Sequence, residues 1–487
     1  MDLFSRFNEC ADRHSDLIAV AQGDDSITYG ELSSWSRALA MRARSVTGAG
    51  TCRVGVWPNR EIGDYAAYLA VLAAGATAVP LNPDFPVERN RLICEQVGLD
   101  SVITPSADTE IGLHSSIPLV TRSRSMLLAP GPAQVAKPDD VAYITFTSGS
   151  TGIPKGVSTS HRNAMSYLDC VIERYPLGPG YRLSQTFNLA FDGSTFDIFA
   201  ALSTGATAVL PRQGDLLDPV RYVNEQRLTH WYSVPSVVSF ARRLDRLDRA
   251  TMPGLTVTQF VGEPLTLEQA GAWADAAPSS VIENVYGPTE GTVTCTAYRM
   301  PEKRCDWPKT ANGTVPIGLP HKNVEVAVHD GELLLRGAQR FNGYLNPDDD
   351  RGRFLPDDSP ITPEHWYRTG DRVSELADGT LMHLGRLDQQ VKLNGYRIEL
   401  GDIEMALRLD RRILDCVVLA VPGEGGLEQL HAVYCGEPMT PTELIRTLRS
   451  RLPEYMIPRR FTLLPELPLT ANGKIDRFGL KGSLSSR

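Results

Sequence analysis

The chain has 487 residues, 42% hydrophobic and 22% charged, with a net charge of -9. That length exceeds one compact core and fits two to four domains. The acidic balance excludes nucleic acid as main partner, because phosphate backbones recruit basic surfaces; a local nest of N–H groups still allows ATP.

The first residues, MDLFSRFNECADRHSD, mix acids with polar residues and are no secretory signal. Tyr65 to Val79 is the most apolar stretch. It is too short for a membrane span and reads as a buried helix plus strand, so the protein is expected in the cytoplasm. LAAGATAVPL (72–81) and LSTGATAVLP (202–211) share Gly-Ala-Thr-Ala-Val in a helix–Gly–strand setting, which predicts a pair of similar α/β subdomains. The segments VGVWP (54–58), SVIT (101–104), VAYITFT (141–147) and TVTQFVG (256–262) alternate with helical patterns and predict parallel sheets covered by helices. ARRLDRLDRA (241–250) is expected as a solvated helix face. From about 315 to 385 the chain turns β-rich, with hairpin signals at VEVAVHD-GELLLRG and at Asp378-Gly379. A small α+β unit follows a boundary near Asp388, opening with strand-like VKLNGYRIEL and a helix for which Asp402 is the expected N-cap. The eight scattered cysteines form no C-x-x-C pair, which argues for reduced thiols and against zinc.

Four motifs carry chemistry. TSGSTGIPKGV follows a predicted buried strand. Its Thr147, Ser148, Gly149, Ser150, Thr151 and Gly152 let the backbone curl around an anion, and Lys155 adds a compact positive charge. It is not the G-x-x-x-x-G-K-[ST] loop, because Gly156 follows the lysine. In NVYGPTEG, Tyr286 offers a stacking face, Gly287-Pro288 a tight turn, and Thr289 and Glu290 oxygen ligands suited to Mg²⁺. YRTGD ends on Asp371, a carboxylate able to hold ribose hydroxyls. Lys474 lies beyond an Asn472-Gly473 turn near the C-terminus; alone it reads as a solvated tail residue.

Together, and in this order, the motifs resemble the signature of the adenylate-forming superfamily, most closely the amino-acid adenylation domains of non-ribosomal peptide synthetases. The resemblance runs from ITYGEL (27–32) to NGKIDR and covers nearly the whole chain. It implies an α/β fold: a large N-terminal domain of two similar α/β subdomains plus a distorted β-barrel portion, with a small mobile α+β C-terminal domain. Residues 1–387 would be the core, Asp388 the hinge and 389–487 the lid. It implies that an amino acid attacks Mg-ATP to give aminoacyl-AMP and pyrophosphate, and that the phosphopantetheine thiol of a separate carrier protein then takes the acyl group. The glycine-rich loop would hold the β- and γ-phosphates. Asn284, Tyr286 and Gly287 would frame adenine, Glu290 would hold Mg²⁺, and Asp371 the ribose. Arg386 and Lys392 would support the nucleotide, and Lys474 would bridge the reacting groups.

The same resemblance assigns Asp192 in FDGSTFD to the substrate amino group, and Gly193, Phe196, Tyr232, Gln259, Val261, Val285, Val293 and Thr294 to the side-chain pocket. That pocket is mainly apolar, with Tyr232 and Gln259 able to bond a polar tip. A β-amino acid, or an acyl-CoA synthetase using free CoA, stays open as an alternative. Asn394 stands where the family has an arginine, and Val261-Gly262 replaces a double glycine. No condensation-like or carrier region is present, so loading in trans is expected. The sequence leaves open a small activator protein as a further partner.

Overall fold

The computed structural model describes residues 1–47, 52–109, 111–112, 117–123, 131–149, 153–358, 360–423, 428–468 and 475–485. A six-stranded sheet has the order Leu119–Thr121, Ser101–Thr104, Arg53–Val56, Thr77–Pro80, Val141–Thr147, Lys155–Ser160. Its pairings are parallel except the last. A nine-stranded sheet is parallel through its middle, from Val281–Tyr286 to Ile18–Gln22, and antiparallel at both edges. The helix Ile62–Ala73 is buried on every side, as a sequence apolar on all faces after Asp64 requires, and Asp64 itself is paired with Arg122. Tyr68 on it meets Phe199 of the other half, ring centroids 5.9 Å apart, so one core joins both sheets.

The repeated Gly-Ala-Thr-Ala-Val performs the same task twice. Gly75 (φ +70°) and Gly205 (φ +86°) turn the chain in the left-handed region, which L side chains avoid, and feed the strands Thr77–Pro80 and Thr207–Val209. The β-rich portion is a five-stranded antiparallel sheet built on Trp366–Glu375. The last unit holds a separate apolar cluster around Ile403, Val418 and Leu444 under a three-stranded sheet.

Three local expectations need correction. The helix through ARRLDRLDRA ends at Arg243, because Asp245 adopts φ +51°; the remaining exposed residues form turns. Asp402 is not the N-cap of Leu400–Arg408. The chain enters that helix directly from a strand through Glu399, and Asp402 is buried inside the first turn. VKLNGYRIEL is also two strands, Gln390–Leu393 and Tyr396–Glu399, about an Asn-Gly turn. Asn394 (φ +50°) and Gly395 (φ +81°) have the two positive φ angles of a type I′ hairpin. Asparagine tolerates that conformation better than arginine, which accounts for residue 394. Among the described residues no helix is long and apolar enough to cross a membrane, and the eight cysteines form no disulfide.

Candidate active site

The strand Val141–Thr147 leads into the glycine-rich loop and returns as Lys155–Ser160, with Thr147 opposite Lys155. Gly149 has no room for a side chain, since a Cβ would overlap the Ile153 carbonyl. Lys155 lies 3.0 Å from Asp349, its Nζ 5.6 Å over the Tyr344 ring. Ser150, Thr151 and Gly152 lie outside the described residues.

Beside this loop is a cavity of about 280 Å³, reached by Thr147, Ser148, Asp192, Thr289 and Asp371 from the large domain and by Lys392 and residues 394–397 from the small one. Asp192 is pushed up to about 6 by burial and by the neighbouring Glu290 charge, against a hydrogen bond from Thr289. A carboxylate so placed gains from a cation brought beside it.

Asp371 accepts hydrogen bonds from Tyr286 Oη (2.6 Å) and Arg386 Nη1 (2.9 Å) and lies 3.2 Å from His383 Nε2. Burial opposes its ionisation, yet the His383 hydrogen bond and the Arg386 and Lys392 charges hold its carboxyl well below the usual range. Arg386 also grips Asp388 through two 2.7 Å bonds, so the expected hinge is tied to the expected ribose ligand. Lys392 lies 5.2 Å over the Tyr286 ring, and burial brings its pKa down.

Glu290 is fully buried. It accepts Tyr344 Oη at 2.5 Å, and Arg397 Nη1 reaches both its oxygens at 3.1 and 3.0 Å. It offers an oxygen ligand of the kind that holds Mg²⁺ beside phosphates, and in this arrangement Arg397 covers it. No cluster of three or more metal-ligating side chains occurs among the described residues, so cation binding there would need phosphate or water oxygens to complete it. The Arg397 carbonyl accepts Ser148 Oγ at 2.8 Å. The hairpin tip is latched by Glu263, which accepts Gly395 N at 2.9 Å and Ser236 N at 3.0 Å.

Of the residues assigned to the side-chain pocket, Asp192, Gly193, Tyr232, Val261 and Val293 line the cavity. Phe196 lies instead in the core behind Tyr232, ring centroids 4.7 Å apart. Gln259 and Thr294 are buried away from the cavity, and Val285 faces a smaller one shared with Asn284 and Tyr286. Phe187, Val234 and Val237 line the larger cavity in their place. Asn284 donates to the Val315 and Pro316 carbonyls at 3.1 and 2.8 Å. Gly287 is needed because a Cβ would sit 2.6 Å from Val293 O. Lys474 lies outside the described residues; Ile475 beside it packs on the outer sheet of the small domain with Val417 and Leu480.

One wall of the cavity is strained. Thr292 (φ +59°) and Val293 (φ +67°) are both β-branched and both left-handed, a costly conformation for such residues. Gln339 holds them there. Its side-chain amide donates to the Thr294 carbonyl at 2.7 Å, and its backbone carbonyl accepts from Thr292 Oγ1 at 2.6 Å. Outside the cavity is a wider one of about 840 Å³ with Arg60, Arg449 and Arg459 on its walls. Tyr396 and Tyr455 border both, stacked 3.8 Å apart and 2° from parallel. Sequence reasoning missed Glu263, Tyr344, Arg397 and Gln339. Only Arg397 had a visible signal, its place in the Gly-x-Arg-Ile-Glu-Leu stretch.

The AMP-binding enzyme profile matches residues 7–345, and the AMP-binding enzyme C-terminal domain matches residues 402–474. Phosphinothricin tripeptide synthetase PhsC of Streptomyces viridochromogenes is 36% identical over 98% of the chain, which covers 45% of PhsC. The Vibrio cholerae adenylation domain AlmE, solved in complex with glycyl-adenosine-5'-phosphate, has TM-score 0.84 and 25% identity, with 100% of this chain and 98% of that one covered. Holo-PA1221, an NRPS protein containing adenylation and PCP domains, has TM-score 0.83 and 27% identity over 98% of this chain and 84% of that one. The chain spans less than half the length of the curated relatives it matches.

Proposed function

The chain belongs to the AMP-binding enzyme family, and we propose that within it this protein activates an amino acid as its adenylate and passes the acyl group to a phosphopantetheine thiol on a carrier protein. The observation that carries the reading is Asp192: a half-buried carboxylate, pushed up to about 6 by burial, in the same cavity as the glycine-rich loop. A fatty or aryl acid has no cation to offer it. The complex of AlmE with glycyl-adenosine-5'-phosphate and the PCP domain of PA1221 support the same reading.

Asp192 would hold the ammonium and so fix where the substrate carboxylate lies. That carboxylate attacks the α-phosphate, and pyrophosphate leaves. Lys155 and the loop would hold the departing phosphates, and Asp371 the ribose. Two anions must meet, so fixed positive charge lowers the barrier; Lys392 supplies part of it and Lys474 is assigned the rest. Mg²⁺, which Glu290 would hold, neutralises phosphate charge when bound. The thiol then displaces AMP. The wide cavity with its three arginines suits the phosphate of a phosphopantetheine arm, and Asp388 would be the pivot for the small domain. The whole assembly, including any activator protein, belongs to this proposal.

ATP–pyrophosphate exchange across α- and β-amino acids tests it. Exchange that depends on one or a few amino acids is expected. No exchange with any of them would overturn the reading, and exchange confined to fatty or aryl acids would transfer it to acyl-CoA synthesis.

A further inference from the structure

FDGSTFD carries two aspartates, and the proposed reaction uses only the first. The second, Asp197, is fully buried. Its Oδ2 accepts the backbone N–H groups of Thr186 and Phe187 at 3.0 and 3.1 Å. Among the described residues its Oδ1 has no hydrogen-bond partner, and no cation stands beside the carboxyl. The titratable groups there that feel its charge are three phenols on three packed elements: Tyr65 of the helix Ile62–Ala73, Tyr222 of the helix Pro219–Glu225 and Tyr232 of the strand His230–Ser233. A phenol is neutral at neutral pH and offsets no charge. A buried carboxylate without a counter-charge is costly and takes up a proton instead. Burial pushes the Asp197 carboxyl well above the ordinary range, and only the two N–H groups oppose it.

Thr186 and Phe187 belong to no strand or helix. They lie between the strand Arg182–Ser184 and Asp192, and both line the reaction cavity. Phe187 stands against Gly193, where an added Cβ would lie 2.8 Å from its ring, and its centroid is 5.0 Å from that of Tyr232. Thr186 Oγ1 donates to the Tyr232 carbonyl at 2.5 Å. The two amides that Asp197 holds therefore set where Phe187 stands beside Asp192 and Gly193. We infer that Asp197 is a positioning residue that fixes the Phe187 wall of the amino-acid site through the Thr186 and Phe187 amides, and that it does so as an un-ionised acid with its proton on Oδ1. Its meaning for substrate binding rests on the proposed function; its protonation does not. An un-ionised acid keeps a carbonyl oxygen with two lone pairs, which is all that the two amides use. The charge is dispensable and the acceptor is not.

Two readouts on the full chain test the two halves. The infrared difference spectrum, wild type minus Asp197→Asn, is recorded at about pH 8, where Asp192 is ionised. It is expected to hold the carbonyl stretch of one carboxylic acid, and a carboxylate band in its place would overturn the inference. In amino-acid-dependent pyrophosphate exchange, Asp197→Asn keeps the acceptor and should leave the KM values for amino acid and ATP within about threefold of wild type. Asp197→Ala orphans both amides and should raise the amino-acid KM at least about tenfold, with the ATP KM within about threefold. Phe187→Ala should reproduce that one-sided rise. Asp197→Asn as impaired as Asp197→Ala, equal rises in both KM values, or an unchanged amino-acid KM in Phe187→Ala would overturn the positioning role. If Asp197→Ala fails to fold, Asp197→Ser decides by the same comparison of KM values. A protein that exchanges with no amino acid would remove the proposed function, and the infrared band would still decide whether Asp197 carries its proton.

Discussion

Gly395→Ala separates the two half-reactions. At φ +81° Gly395 forms the hairpin turn and packs on Val234, and an added Cβ would overlap Val234 Cγ1, with Cβ and Cγ2 of that valine at 3.4 and 3.6 Å. Left-handed strain of roughly 1–2 kcal/mol burdens the turn whether or not the hairpin is docked, so it cancels from the docking equilibrium. Overlap with Val234 exists only when docked, and forcing a methyl into filled space costs about 1–3 kcal/mol. The docked population should therefore fall about 5–150-fold. Thioester formation with pantetheine as minimal thiol, measured in single turnover, is expected to fall by that factor. Amino-acid-dependent pyrophosphate exchange should fall far less. Adding Val234→Ala removes the overlapping methyls and should restore much of the thiol step. Equal losses in both half-reactions, or no recovery in the double variant, would refute the reasoning.

Asp192 should set the acid limb of kcat/KM for the amino acid. Its raised pKa, about 6, means that below that pH the empty site holds a neutral acid with no charge for an ammonium. Activity should drop about tenfold per pH unit there, whereas a limb near 4, the ordinary aspartate value, would contradict the burial argument. Glu283→Gln should lower stability without touching the cavity. The Glu283 side chain is fully buried and accepts Arg174 Nε at 2.8 Å, Arg299 Nε at 2.6 Å and Tyr175 Oη at 2.7 Å. Removing the charge leaves two guanidiniums short of a partner, and because both are partly solvated the loss should be near the low end for such pairs, about 3 kcal/mol. Burial opposes ionisation of Glu283, but Arg174, Tyr175 and Arg299 outweigh it and depress its pKa. Its contribution is thus present above the unfolded glutamate value, about 4.3, and is lost as pH falls through the lower folded value; urea unfolding at pH 7 and at pH 3 reads both effects.

Strands with apolar runs and helices ending in glycine were legible because each reports its own neighbours. SVIT and VAYITFT begin and end as predicted. The cavity was legible only where a motif names its residue, as with Asp192, Asp371 and Lys392. Glu263, Tyr344 and Gln339 are ordinary in sequence and acquire roles through partners 132, 54 and 45 positions away. No local pattern encodes such a contact. The Asn394-Gly395 turn was available from composition alone, but the apolar residues around it read as a single strand.

Gln339 shows where selectivity can reside without contact. An extra methylene on a ligand is rejected by about 1–3 kcal/mol only when the surface it strikes does not yield. Val293 is part of such a surface, and the Gln339 side-chain amide on the Thr294 carbonyl, with the Gln339 backbone carbonyl on Thr292 Oγ1, holds the residues on either side and keeps its backbone from relaxing. Residue 339 would then set the tolerance of the enzyme, and the residues facing the ligand its preference. A library that varies only the cavity lining would change which shape is accepted while leaving intact how strictly it is judged.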